Sequence, residues 1–172
     1  MASGIPQIIQ DLDAGSTYEG DNVVLLLQTA RFLLKCAQKN LSPHLELENI
    51  NQLKSTSLYN KFSKYFNIYY KLYDESISEI TNKMLHLITE KRYSQFDAWN
   101  ESSQMLITVS KVYVNIYVIN CFLAAIASHE VAGNQQALGE LFELFMLYDI
   151  CDNFGANVLR VNFFNFLFLN YQ

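Results

Sequence analysis

Apolar residues in the first part of the chain recur at steps of three and four, the spacing that places side chains on one face of an α-helix. Asp21 stands where a helix N-cap is expected, and Lys35 and Lys39 suit the negative end of a helix dipole. We therefore predict a helix from Asn22 to Lys39. Its apolar stripe consists of Val23, Leu26, Leu27, Ala30, Leu34 and Ala37.

A denser stripe follows a polar connector at 40–57 that contains Pro43. An aromatic stripe with this spacing is typical of a helix–helix core and less often of a cofactor site. The pattern predicts a second helix over 58–90. The stripe consists of Phe62, Tyr65, Phe66, Tyr69, Tyr70, Tyr73, Ile77, Ile80, Met84 and Leu87.

Two further helices are predicted in the second half of the chain, over 96–132 and 136–151. The first would be about 55 Å long at 1.5 Å per residue, so it has to run the length of a bundle. Gly133 and Asn134 tolerate the left-handed conformation that ends helices. Residues 152–172 are rich in aromatic side chains, and an exposed segment of that kind would aggregate or dock onto a partner.

The distribution of glycine and proline indicates the fold class. Between Gly20 and Gly133 there is no glycine, and Pro43 is the single proline. A sheet protein needs frequent turns made from such residues, whereas long helices do not. We therefore predict an all-α fold, a bundle of long helices. No glycine-rich phosphate-binding motif is present, so the sequence shows no nucleotide cradle of its own.

One segment has to be weighed as a membrane span. Residues 112–128 form a run of 17 residues without a charge. A span needs about 20 apolar residues, and this run contains Asn115 and Asn120 between the flanking charges of Lys111 and Glu130. The pattern favours a buried core helix and no membrane span, with a membrane helix as the alternative.

Composition excludes several classes of protein. The chain has 172 residues, enough for one domain or two small ones. With 51% hydrophobic and 17% charged residues, it is too apolar for a disordered segment. The net charge of −5 argues against a nucleic-acid partner, because no basic excess is present to neutralise phosphates.

The spacing of the cysteines and histidines does not predict a metal site. The three cysteines are an odd number without a CxxC pair, and we interpret them as reduced thiols in the core. The histidines have no ligand spacing to one another or to the cysteines. These residues are Cys36, Cys121, Cys151, His44, His86 and His129.

Glu19 is the candidate for chemistry. It lies in a predicted loop just before the first helix, and the adjacent Gly20 permits close approach of the backbone to a ligand. The alternative is a surface acid stabilised by the N-terminal end of the helix dipole.

Several short runs, taken in order, resemble the peroxisomal acyl-CoA oxidases, which belong to the acyl-CoA dehydrogenase superfamily. An aromatic-Glu-Gly-acid-Asn loop followed by a QTARFL helix is specific for the oxidases when a WN segment opens a later helix. The resemblance is strongest over 3–34, weakest over 40–92, and does not extend to 156–172. The runs are Ser3–Pro6, Thr17–Asn22, Leu27–Leu33, Ala98–Ser103, Leu147–Ile150 and Asn153–Gly155.

The resemblance implies an FAD-dependent oxidation of an acyl-CoA to a trans-2-enoyl-CoA, with hydrogen peroxide as the second product. Glu19 matches the catalytic base, which removes the α-proton, and Gly20 matches a backbone contact to the substrate thioester. Asp21 and Asn22 match positions near the flavin, with helix capping as the alternative. The family also implies fatty acid β-oxidation in the peroxisome.

The resemblance further implies how the chain is organised. Residues 1–45 would end a helical domain that carries the catalytic-base loop, and 46–172 would form an incomplete C-terminal helical domain. The flavin-binding β-domain would lie upstream, so we expect this chain to be a fragment that is inactive alone. The ending, Asn170–Gln172, lacks the usual peroxisomal tripeptide.

Partners follow from the same resemblance. We expect an acyl-CoA substrate and either a homodimer or association with a complete oxidase. Two alternatives remain: a non-catalytic helical interaction module derived from the oxidase fold, and an unrelated membrane-associated helical protein that uses 112–128.

Overall fold

The computed structural model describes residues 6–10, 21–41, 56–127 and 133–153. Within these ranges the chain forms helices and no β-strand, which confirms the all-α class. A short helical segment at 6–10 precedes five longer helices. These are α1 (Asn22–Gln38), α2 (Ser57–Thr89), α3 (Gln95–Glu101), α4 (Ser103–Ala127) and α5 (Gln135–Asn153).

Helix α1 begins and ends close to where its sequence pattern predicts. Asp21 has an extended backbone and caps the first turn with its side chain. At the other end Asn40 adopts a left-handed φ of 50°. The Leu41 N–H then donates to the Cys36 carbonyl at 2.9 Å, which satisfies one of the last carbonyls of the helix.

The predicted third helix is wrong at one point. Instead of one continuous helix over 96–132, α3 ends at Glu101 and α4 begins at Ser103. Ser102 between them has φ −101° and ψ 2°, and its N–H is shared between the carbonyls of Ala98 and Trp99. Paired serines are a common site of helix kinks, because serine has weak helix propensity. The predicted end at 132 lies outside the described residues.

The chain divides into two compact units, each built from two segments. Unit 1 comprises Met1–Pro43 and Ser76–Lys111, and unit 2 comprises His44–Glu75 and Val112–Gln172. Unit 1 combines segments on both sides of position 45, whereas unit 2 begins at His44. The predicted division into family domains at 1–45 and 46–172 therefore stays a prediction.

Unit 1 has a small core in which α1 packs against α2 and α4. Ala30, Ile80 and Leu106 are fully buried there, and Leu34 is nearly so. Partly buried side chains surround this cluster: Leu27, Ile77, Met84, Trp99 and Met105.

Unit 2 has the larger core, where the aromatic stripe of α2 meets α4 and α5. The Phe142 ring centre lies 5.1 Å from that of Phe62 and 4.9 Å from that of Phe122, both edge-on. Edge-on aromatic pairs of this kind add stabilisation beyond area burial. The aromatic stripe is therefore core, as its spacing predicts. The members of the stripe buried in this core are Phe62, Tyr65, Phe66 and Tyr69, and two other α2 residues, Ile68 and Leu72, are buried with them.

Helix α4 contains the apolar run that was weighed as a membrane span. Among the described residues it is the one helix long and apolar enough to cross a bilayer by length and composition. Its inward positions belong to the core of unit 2, which supports the core-helix interpretation. These are Val112, Ile116, Ile119, Leu123 and Ile126.

Candidate functional site

Most of the candidate catalytic loop lies outside the residues that the structure describes. Glu19 and Gly20 lie outside the described residues. Asp21 and Asn22 lie within them, at the start of α1, and both side chains are exposed. The structure therefore fixes the helix that follows the proposed base.

Asp21 is engaged as the N-cap of α1. Its Oδ1 accepts hydrogen bonds from the N–H groups of Val23 at 2.7 Å and Val24 at 3.4 Å. Asp21 therefore caps the helix, which is the role predicted as the alternative to a flavin contact. The flavin contacts of Asp21 and Asn22 stay predictions.

Helix α1 is anchored within unit 1 on the side opposite its exposed face. Ala30 and Leu33 are fully buried. The Ser110 hydroxyl of α4 donates to the Leu26 carbonyl at 2.8 Å, a tie between helices from distant parts of the sequence. The loop that precedes α1 is consequently joined to a helix held by packing and by a side-chain hydrogen bond.

Two of the sequence runs that carry the resemblance meet in this unit. The Arg31 guanidinium, from QTARFL, lies 5.6 Å from the centre of the Trp99 ring, from the WN segment. A guanidinium over an indole face is a favourable cation–π arrangement. The two runs therefore contact each other within unit 1, through an exposed arginine and a half-buried tryptophan.

The first turn of α1 presents an apolar surface next to the candidate loop. Val23, Val24 and Leu25 are 48%, 54% and 44% exposed. Three consecutive apolar side chains with this exposure can pack against an apolar ligand or a second domain.

A second polar cluster lies in unit 2, and sequence reasoning did not find it. Asp149 of α5 is 6% exposed, and its Oδ2 accepts from the Tyr69 hydroxyl at 2.6 Å and the Asn115 amide at 2.7 Å. Burial, followed by the hydrogen bond to Asp149, raises the pKa of Tyr69 well above its usual value. The cluster joins α2, α4 and α5.

A signal for this cluster was present in the sequence. Asn115 and Asp149 both occupy apolar helical stretches, and a polar side chain in such a position needs a buried partner. The pattern did not reveal that Asn115 and Asp149 bind each other, or that Tyr69 also binds Asp149. Their position among core residues indicates a structural role.

The cysteine interpretation needs one correction. Cys36 is buried, Cys121 is half-buried and Cys151 is exposed, all three as free thiols. The core assignment is wrong for Cys151 because this residue lies on the outer face of α5. In the ranges that the structure describes, no group of three metal-binding side chains comes together.

Comparisons with known proteins agree on one family. The model described as acyl-CoA oxidase matches residues 26–167, and that of the acyl-CoA oxidase C-alpha1 domain matches residues 1–34. Acyl-coenzyme A oxidase acox-1.2 of Caenorhabditis elegans is 27% identical over 180 residues, covering 99% of this chain and 26% of the relative.

A human relative gives a similar match. Peroxisomal acyl-coenzyme A oxidase 1 of Homo sapiens is 29% identical over 168 residues, covering 89% of this chain and 26% of the relative. The chain thus spans about a quarter of the length of these relatives. No solved structure shows a significant match.

Proposed function

This chain belongs to the acyl-CoA oxidase family, and we propose that it supplies the catalytic base for the oxidation of acyl-CoA to trans-2-enoyl-CoA. The family match over residues 26–167 carries the proposal. The match of residues 1–34 to the C-alpha1 domain supports it, because that range contains the loop with Glu19.

In the proposed reaction the carboxylate of Glu19 removes a proton from the carbon next to the thioester. The hydrogen on the β-carbon leaves with its electron pair, and the double bond forms between the two carbons. FAD, when bound, supplies the acceptor for that hydride, and molecular oxygen takes up the electrons to give hydrogen peroxide.

The chemistry explains why a carboxylate is needed at this position. An α-proton beside a thioester is only weakly acidic, so its removal needs a positioned base and stabilisation of the developing enolate oxygen. The Gly20 N–H is proposed to donate to that oxygen. An apolar acyl pocket would raise the proton affinity of Glu19 and make it a stronger base.

The described residues fit a flavin in part. Asn22 is exposed and carries an amide that can donate or accept a hydrogen bond, whereas one Asp21 oxygen is already occupied by two backbone N–H groups. The apolar first turn of α1 could cover part of a planar ligand. We assign Asn22 the direct contact, and Asp21 the role of holding the helix start.

The cellular setting is proposed from the relatives. The human relative is named a peroxisomal oxidase, and we propose the same compartment and a role in fatty acid β-oxidation for this chain.

A second candidate function is a non-catalytic helical interaction module of the same fold. The extent of exposed apolar surface on α4 and α5 favours it. A module of that kind would associate with a partner but would not depend on Glu19 for any activity.

The test is a chimera in which this chain replaces the matching segment of the human relative. With bound flavin, we expect peroxide release from a long-chain acyl-CoA, and we expect Glu19→Gln to lower it by about two to four orders of magnitude. Glu79→Gln, which changes an exposed acid on α2, should leave the rate unchanged.

Two results would count against the proposal. One is a flavin-loaded chimera without activity. The other is Glu19→Gln turning over at the rate of its parent, which would favour the interaction module.

A further inference from the structure

A short exposed segment joins α2 to α3 within unit 1. Residues 90–94 form this segment, which we call the α2–α3 connector, and all five are exposed, as are the next three residues. The Tyr93 N–H donates to the Leu87 carbonyl at 3.0 Å, which returns the connector to the end of α2. The connector is therefore held by its backbone while its side chains remain accessible to a second macromolecule.

The connector carries the one pair of adjacent basic residues in the sequence, Lys91 and Arg92. Neither side chain forms an ion pair with another residue that the structure describes. The adjacent acid, Glu90, faces His86, with 3.0 Å between its Oε2 and the histidine Nδ1. Two positive charges are therefore available to an acidic partner.

A serine hydroxyl follows this basic pair. Ser94 stands two residues after Arg92 and three after Lys91, and its side chain is exposed. Protein kinases select their substrates in part by charge pattern, and an acidic substrate groove attracts basic residues placed just before the acceptor serine. The position of Ser94 fits a kinase of this basic-directed class.

An acid-directed kinase is the alternative, because Asp97 stands three residues after Ser94. The Asp97 carboxylate is already engaged, since its Oδ2 accepts from the Ser94 hydroxyl at 2.6 Å. Asp97 also lies in the first turn of α3. The unpaired basic pair is therefore the recognition feature that the geometry favours.

The connector can enter a kinase active site with little unfolding. Ser94 already has an extended backbone, with φ −63° and ψ 159°. Arg92 has φ 56°, a left-handed conformation that disfavours most residues with a Cβ, so straightening it on binding relieves strain. Helix α3 has seven residues, and its exposed first turn can open without breaking a core.

Ser63 shows that a preceding basic residue alone does not produce such a site. It follows Lys61 by two residues, but it lies within the 33-residue helix α2. Its hydroxyl donates to the Asn60 carbonyl at 2.8 Å. Phosphorylation there requires part of a long packed helix to unwind, so Ser63 provides a matched comparison.

We propose that Ser94 is a phosphorylation site for a protein kinase that recognises Lys91 and Arg92. The Ser94 oxygen bonds to the γ-phosphorus of ATP, the bond from that phosphorus to the bridging oxygen breaks, ADP leaves, and the hydroxyl proton passes to a base of the kinase. The phosphate replaces the hydrogen that Ser94 donates to Asp97, which places two negative groups together at the start of α3. The site depends on neither flavin nor Glu19, so its failure and that of the proposed catalytic role are separate.

The full chain, incubated with ATP and the catalytic subunit of cyclic-AMP-dependent protein kinase, tests the proposal. We expect one phosphoryl group per chain, located on Ser94 by tandem mass spectrometry. Ser94→Ala should abolish it, and Lys91→Ala combined with Arg92→Ala should lower the initial rate by about tenfold or more. Ser63→Ala is the control and should leave the rate unchanged. Far-ultraviolet circular dichroism establishes that each variant keeps its helices.

Several results would overturn the proposal. These are a wild-type chain that takes up no phosphate on Ser94, a chain labelled on Ser63 in preference, and an unchanged rate after loss of the basic pair. A parallel reaction with casein kinase II tests acid-directed recognition. Faster labelling of Ser94 by that kinase, abolished by Asp97→Asn, would also overturn the proposal by identifying the acid as the recognised charge.

Discussion

The buried carboxylate of Asp149 provides a sharp test of how unit 2 is held together. Replacing it with alanine removes the shared acceptor of the Tyr69 hydroxyl and the Asn115 amide, at 2.6 and 2.7 Å. Hydrogen bonds to a charged group contribute about 1.5–3 kcal/mol each, but removing a buried carboxylate also removes its desolvation cost.

The balance of these effects gives an expected loss for Asp149→Ala of about 3 kcal/mol in the free energy of unfolding. Asp149→Asn keeps an oxygen acceptor of similar size without the charge, so it should lose less, about 1–2 kcal/mol. Urea denaturation at pH 7, followed by circular dichroism, measures both losses by linear extrapolation.

Asp152→Ala is the control for this experiment. It removes an acid of the same helix whose side chain is exposed, so the loss should stay within about 0.5 kcal/mol. If Asp149→Ala proved as mild as this control, the cluster would not stabilise the core and our interpretation of its role would be wrong.

Three other predictions follow from single side chains. Since the folded state raises the pKa of Tyr69 above its ordinary 10.0, the unfolded state loses that proton first and stability should fall as pH rises above 10. Tyr69→Phe should weaken this pH dependence in alkaline urea titrations. Asp21→Ala should cost about 1 kcal/mol in urea denaturation through the lost N-cap, whereas Asp21→Asn should cost less. Phe142→Ala, which opens a cavity among the rings of unit 2, should cost about 3–5 kcal/mol in the same assay, well above the cost of Phe96→Ala at a 72% exposed position.

Periodicity was sufficient to predict most of the fold. The apolar stripes of α1, α2 and α5 place each helix within two residues of its observed ends. The stripes succeed because each marks a face that packs into a core. They do not predict the break at Ser102, which lies in a polar run over 100–104 that contains no glycine or proline.

The two units were not predictable from local pattern. Each one combines residues that are far apart in the sequence, and the packing partner of a stripe is not encoded in its spacing. The same limit applies to the Tyr69–Asn115–Asp149 cluster, whose members come from three different helices. Local pattern also does not predict which side of α5 is exposed, because the exposed side of this helix is as apolar as the buried side.

The candidate site was predicted from a resemblance to a family and not from periodicity. Neither composition nor periodicity distinguishes Glu19 from an ordinary surface acid near a helix start. The order of motifs around it indicated the oxidases, and the family matches confirm that membership. The role of Glu19 itself stays a prediction.

The role of Glu19 as the base is measured most directly by exchange of the acyl-CoA α-proton with solvent. In the flavin-loaded chimera without oxygen, an acyl-CoA labelled with deuterium at the α-carbon should lose its label on the enzyme. With Glu19→Gln, this loss should fall by about 10²-fold or more while the thioester still binds. Wash-out at the parental rate in that variant would show that another group takes the proton, and would contradict the account.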